Sequence, residues 1–232
     1  MAEQPLGKHM DNSGKKRRAT ILKGVIAVLL LVAVGCSGYV LYMNHLEQKR
    51  AEEMSATGKP ATEVDSKDDE LPDNPIDFAP LIQENADIYA WLYIPGADIN
   101  TPLLQSSTDD LFYLDHDKDG KYDPYGTAFS QMANARDFSD PVTVIYGHVN
   151  GGVFHNLHNF EDADFFNENT EFYIYTPGHI LKYKIVSAYQ YDDRHILNSF
   201  NFADPAVRQE YFNTVCNPDA LLKNVREGVT LD

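Results

Sequence analysis

Cysteine is nearly absent: the 232 residues include two, Cys36 and Cys216. Cys36 lies inside an apolar run and Cys216 stands alone far downstream, so no intramolecular disulfide framework is available. Positive charge is equally scarce past the N-terminal region. Residues 44–232 hold thirteen Lys and Arg against thirty-three Asp and Glu, whereas residues 1–43 hold six against two. So acidic a surface repels phosphate backbones, which excludes nucleic acid as a partner. Internal repeats are missing, and so is the alternation of strands and helices that builds a parallel sheet.

Of long hydrophobic runs there is one. Twenty uncharged residues, "GVIAVLLLVAVGCSGYVLYM", separate Lys23 from Asn44. At about 1.5 Å per helical residue they span about 30 Å, the hydrocarbon thickness of a bilayer. With "KKRR" just upstream, residues 1–20 are expected in the cytoplasm, residues 21–43 as the membrane anchor and everything after them outside. The alternative is a lipoprotein-type signal at "VAVGC" that leaves Cys36 lipidated. Against it, the apolar run continues to Met43, and Ala33 stands where such a signal usually has Leu.

Residues 44–74 are polar and charged, with almost no apolar periodicity, and read as a stalk. A folded domain is expected over residues 75–232. In "IDFAPLIQENADIYAWLYIPG", Asp77 is a candidate N-cap and Pro95-Gly96 a stop, which predicts one or two short helices. "VTVIY" at 142–146 reads as a strand of buried character. "EFYIYTPGHILKYKIVSAYQY" reads as two alternating runs joined by Pro177-Gly178, the pair a type II turn takes at its centre. "ADPAVRQEYFNTVCNPDALLKNVREG" reads as helix, with Pro205 in the first turn and a break at Asn217-Pro218. The fold class is therefore mainly β, a barrel with helical decoration.

The most suggestive stretch is "VIYGHVNGGVFHNLHNF", residues 144–160, with His148, His155 and His158. A metal site would need the three to converge, yet Asn150-Gly151-Gly152 intervene and no carboxylate or thiolate stands at ligand spacing. No metal and no cofactor are expected. His155 and His158 fit a short helix whose Val153, Phe154, Leu157 and Phe160 pack inward while the imidazoles face water. His148 follows a strand and a glycine, which mounts it at a rim; spacing alone leaves catalyst and satisfied loop residue both open.

"DHDKDGKYDPYG", residues 115–126, imitates the start of a calcium loop, but its twelfth position is Gly126 rather than a bidentate Glu. A polar turn is the preferred reading, with weak calcium binding left open. Cys216, one helical turn after Phe212 and just before Asn217-Pro218, suits a half-buried structural thiol better than a nucleophile.

From about Ile76 onward the chain resembles the class B sortases, membrane-anchored cysteine transpeptidases of Gram-positive bacteria. The resemblance rests on "NADIYAWLYIPGADINTPLLQ", "DDLFYLDHDKDGKYDPYGTAFSQMANARD", "TVIYGHVNGGVFHNLHNFEDADFFNENTEFYIYTP" and "YKIVSAYQY", in that order. It implies a sortase β-barrel with N-terminal helices and a helix in the long loop after "SAYQY", before the penultimate strand. It assigns His148 as the catalytic histidine. Leu114 and Ile196 would line the groove for a sorting-signal peptide, an Asn-Pro-x-Thr-like pentapeptide of a secreted protein, with a cell-wall peptide or pilin amine as acceptor. His195 stands near where some relatives carry Tyr. The family's nucleophile ends a strand much like Thr-Leu-Ser-Thr-Cys, and an oxyanion-stabilising Arg follows it. The sequence stops at "REGVTLD", so the expectation is a domain incomplete at its C-terminus and without activity as given, or, as the alternative, an inert tethered binding module.

Overall fold

The computed structural model describes residues 74–230 and, before them, residues 32, 33, 35, 37–43, 45 and 49, which are helical. Residues 1–48 form a unit separate from residues 49–232. Among the described residues no helix is long and apolar enough to cross a membrane. Much of the expected 21–43 span, Cys36, residues 1–20 and most of the stalk lie outside the described residues.

The domain is already anchored at Asn74, whose side-chain amide donates to the Thr176 carbonyl at 2.8 Å. Helix α1 (Phe78–Glu84) follows, and the Asp77 carboxylate caps it by accepting from Ala79 N–H at 3.1 Å. The second expected helix is instead a strand, β1 (Ile88–Ile94). It is the central strand of a six-stranded sheet and is buried on both faces: Trp91 is fully enclosed, Ala90, Leu92 and Ile94 pack to one side, and Ile88 and Trp91 to the other. A strand covered on both faces has no polar alternation, which is why its apolar run also fits a helix.

A 3-10 turn at Pro95–Ala97 leads into β2 (Ile99–Leu104), antiparallel to β1. The remaining strands are β3 (Phe129–Ser130), β4 (Ile145–Tyr146), β5 (Glu171–Thr176), β6 (His179–Lys184), β7 (Ser187–Tyr189) and β8 (Lys223–Val225). The sheet runs β4-β3-β2-β1-β5-β6, and β7 pairs with β8 in a ribbon of its own. The mainly-β expectation holds, but hydrogen bonding does not close a barrel among the described residues: β4 and β6 are edges. The predicted β5–β6 hairpin forms, with Thr176 opposite His179 across Pro177-Gly178 and Gly178 at φ 97°.

Helices α2 (Ala163–Glu168), α3 (Ile196–Ser199) and α4 (Pro205–Cys216) complete the set. The last two occupy the long loop after "SAYQY", as expected. Past Asn217-Pro218, however, the chain forms β8 rather than more helix, because Lys223, Asn224 and Val225 pair with Tyr189, Ala188 and Ser187.

Candidate active site

Strand β4 is shorter and more open than its β-branched sequence suggests. Only Ile145 and Tyr146 join the sheet, opposite Ser130 and Phe129, and both are half-buried, because nothing among the described residues covers the outer edge of β4. The preceding residues hang on a side chain. Buried Asn134 donates to the Val142 carbonyl at 2.8 Å and accepts from Val144 N–H at 3.0 Å, standing in for a neighbouring strand. The Phe129 and Tyr146 rings stack at 5.4 Å. Burial, and after it the Asp110 carboxylate, pushes the Tyr146 hydroxyl above the ordinary tyrosine range.

The chain then turns at Gly147, where a methyl group would meet the Phe154 ring at 2.7 Å and Val153 at 2.8 Å. His148 follows, half-buried. Its carbonyl accepts from Phe154 N–H at 3.0 Å, and Gly152 passes so close that an added Cβ would lie 2.6 Å from that oxygen. The turn is thus fixed through the backbone of His148. Its ring nitrogens have no hydrogen-bond partner among the described residues, so the imidazole is free to exchange protons with a substrate.

His155 and His158 are exposed on a 3-10 helix (His155–Glu161), as predicted, with Phe154 and Phe160 buried beneath them. His155 does more than face water: its Nδ1–H donates to the Val149 carbonyl at 3.1 Å, tying it to the His148 turn. His158 Nδ1 lies 2.6 Å from Glu161 Oε1. The three histidines do not converge, and among the described residues no three His, Cys, Asp or Glu side chains are placed to hold a metal. The acidic loop likewise spends its carboxylates locally. Asp117 accepts from the backbone of Asp119 and Lys121, and Asp119 pairs with Lys118 and Lys121.

Leu114 ends a 3-10 turn (Phe112–Leu114) and is 39% exposed. Its buried neighbour Tyr113 anchors the turn by donating to Asp87 Oδ2 and accepting from the Asn85 amide, both at 2.9 Å. Because Thr127 N–H donates to the Tyr113 carbonyl, Leu114 lies by the start of β3, the end that β4 runs toward as it leads into His148. Ile196 is elsewhere. It opens α3, which His195 caps by accepting Asn198 N–H on Nδ1 at 3.2 Å, so that Nε2–H donates to Gln131 Oε1 at 2.9 Å, past the end of β3. The two expected groove residues therefore flank β3 from opposite ends. Cys216 is half-buried at the end of α4, in the β7–β8 connection rather than on a strand beside β4.

Sequence reasoning missed Arg226. Its guanidinium donates to the Ile185 carbonyl at 2.9 Å and the Phe166 carbonyl at 2.8 Å and lies over the Phe166 ring. That is a structural clamp, not a free anion receptor.

Compared with known proteins, the chain matches no family profile. A segment of 83 residues is 36% identical to sortase B of Listeria monocytogenes, covering 35% of this chain and 33% of that one, so the match spans a third of the curated relative. In structure, a class B sortase of Streptococcus pyogenes involved in pilus biogenesis aligns with TM-score 0.57 and 29% identity over 68% of this chain and 84% of its own. This chain is a relative of the class B sortases. Sortase B of Clostridium perfringens shares the fold, with TM-score 0.59 and 24% identity over 67% of this chain and 85% of that one. The sortase likeness explains why a mainly-β sheet carries its histidine on a turn after an edge strand.

Proposed function

We propose that this sortase relative belongs to a cysteine transpeptidase in which His148 moves the protons. A thiolate attacks the carbonyl of a sorting-signal peptide, the bond to the amine breaks, and His148 protonates the departing amine. An incoming amine, from cell-wall peptide or a pilin, then attacks the thioester and gives its proton to His148. The observation that carries this reading is the His148 imidazole, held in place through its backbone and left without a hydrogen-bond partner among the described residues. Leu114 and Ile196 are proposed to contact the peptide. Related structures titled as a sortase B–substrate complex and as sortase B complexed with triglycine are consistent with peptide and amine ligands.

The thiol is proposed to come from a strand after Asp232 that adds beside β4, since neither Cys36 nor Cys216 stands at the family's position. The domain is proposed to act outside the cell, held by residues 21–43. Supporting this are the apolar run and the exposure of Tyr39, Val40, Leu41 and Tyr42, all more than half accessible. The different-class alternative, an inert tethered module that binds sorting signals, is favoured by the position of Cys216 away from β4.

The deciding experiment compares the 232-residue chain with the chain continued by whatever its gene encodes after Asp232, using an Asn-Pro-x-Thr peptide and an amine acceptor. The shorter chain should show no turnover. In the continued chain His148→Ala should cost at least about 10²-fold. His155→Ala and His158→Ala should stay within about threefold. An immediate stop codon, or a continued chain lacking Cys, would establish the inert module. Loss on His158→Ala equal to that on His148→Ala would refute the histidine assignment.

A further inference from the structure

Away from the His148 turn, a cavity of about 660 Å³ opens between the end of β7, the 190–201 segment and α4. Its walls are aromatic: Tyr189, Tyr191, Phe200 and Tyr211 all line it. The Tyr189 and Tyr191 rings meet edge to face at 6.0 Å, and Phe200 lies 5.0 Å from Tyr211. Burial pushes the Tyr211 hydroxyl up to about 12, and the neighbouring Tyr189 and Tyr191 add to the shift, so these phenols stay neutral and can accept hydrogen bonds. None of the three hydroxyls has a hydrogen-bond partner among the described residues.

Three carboxylates, Asp192, Glu210 and Asp219, also line the cavity, against a single cation, Arg194. Arg194 is paired with Asp192 at 3.1 Å. Nearby Lys223 donates to the Pro218 carbonyl at 2.6 Å. That leaves Glu210 and Asp219 without an ion-pair partner among the described residues.

We propose that this cavity binds a protonated primary amine on an aliphatic stem, the chemistry of a lysine side chain on a peptide partner. The ring faces attract the cation, and the apolar walls take the stem. The hydroxyls and carboxylates accept the ammonium N–H bonds, which a quaternary ammonium could not offer. An anion would meet the unpaired carboxylates, and a purely apolar ligand would leave the hydroxyls unsatisfied. The inference goes beyond the transpeptidase reading and does not depend on it.

The test uses the full 232-residue chain in detergent micelles, titrated by calorimetry with Nα-acetyl-lysine amide, its norleucine analogue and its trimethyl-lysine analogue. Lysine amide should bind with a dissociation constant of about 1 mM, and both analogues at least about tenfold more weakly. The double variant Glu210→Gln, Asp219→Asn should weaken lysine amide by about tenfold while leaving the thermal melt unchanged, because both carboxylates are exposed. Tyr211→Phe, which keeps the ring, should weaken it several-fold. Equal binding of norleucine would mean an apolar pocket only, and equal binding of trimethyl-lysine a quaternary-ammonium cage; either result overturns the proposal. So does an unaltered double variant, or no binding at all.

Discussion

Replacing Asn134 by Asp changes one group and leaves the shape intact, yet it should be among the most damaging single changes in the domain. The side chain is 4% exposed and satisfies three partners. Its amide donates to Val142 O at 2.8 Å and to Asp140 Oδ2 at 3.1 Å, and its oxygen accepts from Val144 N–H at 3.0 Å. Asn134→Asp keeps the last of these and loses both donors. A neutral bond in such a setting contributes about 1 kcal/mol, and one to a charged carboxylate about 2 kcal/mol. A new negative charge beside Asp140 adds about 1 kcal/mol or more before the pair relaxes by taking up a proton. The total of about 4 kcal/mol is a large part of the roughly 5–15 kcal/mol that holds an ordinary domain together. Urea unfolding followed through Trp91, the one tryptophan and fully enclosed, is the assay. Repulsion and burial raise the new carboxyl's folded pKa above its unfolded value, so the deficit should be full at neutral pH and shrink as pH falls through the raised value. A loss below about 1 kcal/mol at about pH 7, or a larger loss at about pH 5 than at neutral pH, would refute the claim that Asn134 acts as a surrogate strand for residues 142–144.

Gly152→Ala should destabilise by about 2–3 kcal/mol, because its Cβ would press on the His148 carbonyl and disturb the bond from Phe154 N–H; melting within about 1 °C of the native chain would sink this. Tyr146→Phe should raise stability by about 1 kcal/mol, since that hydroxyl is buried without a partner among the described residues. A loss of similar size, seen in the same melts, would mean that the hydroxyl is bonded after all.

Legibility in the sequence followed how local the physics was. The cap at Asp77, the Pro177-Gly178 turn and the helix opened by Pro205 are each decided within a few residues, and each formed. The failures needed distant partners. β1 hides as a helix because β2, β5 and both core clusters bury every face it has. β8 becomes a strand only because β7 offers it an edge from the far side of two helices. Asn134 is an ordinary polar residue in "NARD" until the fold places Val142 and Val144 beside it. The site divides in the same way. His148 was legible from a β-branched run followed by glycine, whereas the bond from His155 to Val149 depends on a loop closure that spacing does not specify.

That division bears on how His148 can be tested. A histidine that serves the fold through its ring cannot be removed without losing structure, and a drop in rate then says nothing about proton transfer. Here the turn is held by the His148 carbonyl, by the close approaches of Gly147 and Gly152, and by the His155 ring on the next carbonyl. All of these remain in His148→Ala, because alanine keeps the same backbone groups. The substitution removes a half-buried ring with no hydrogen bond among the described residues, so its cost in stability should be within the range of an ordinary surface change, about 1 kcal/mol. A catalytic loss of about 10²-fold or more in a chain that melts normally would therefore be chemical in origin. The same loss accompanied by a collapsed melt would place His148 among the residues that build the turn, and would leave the proton to some other group.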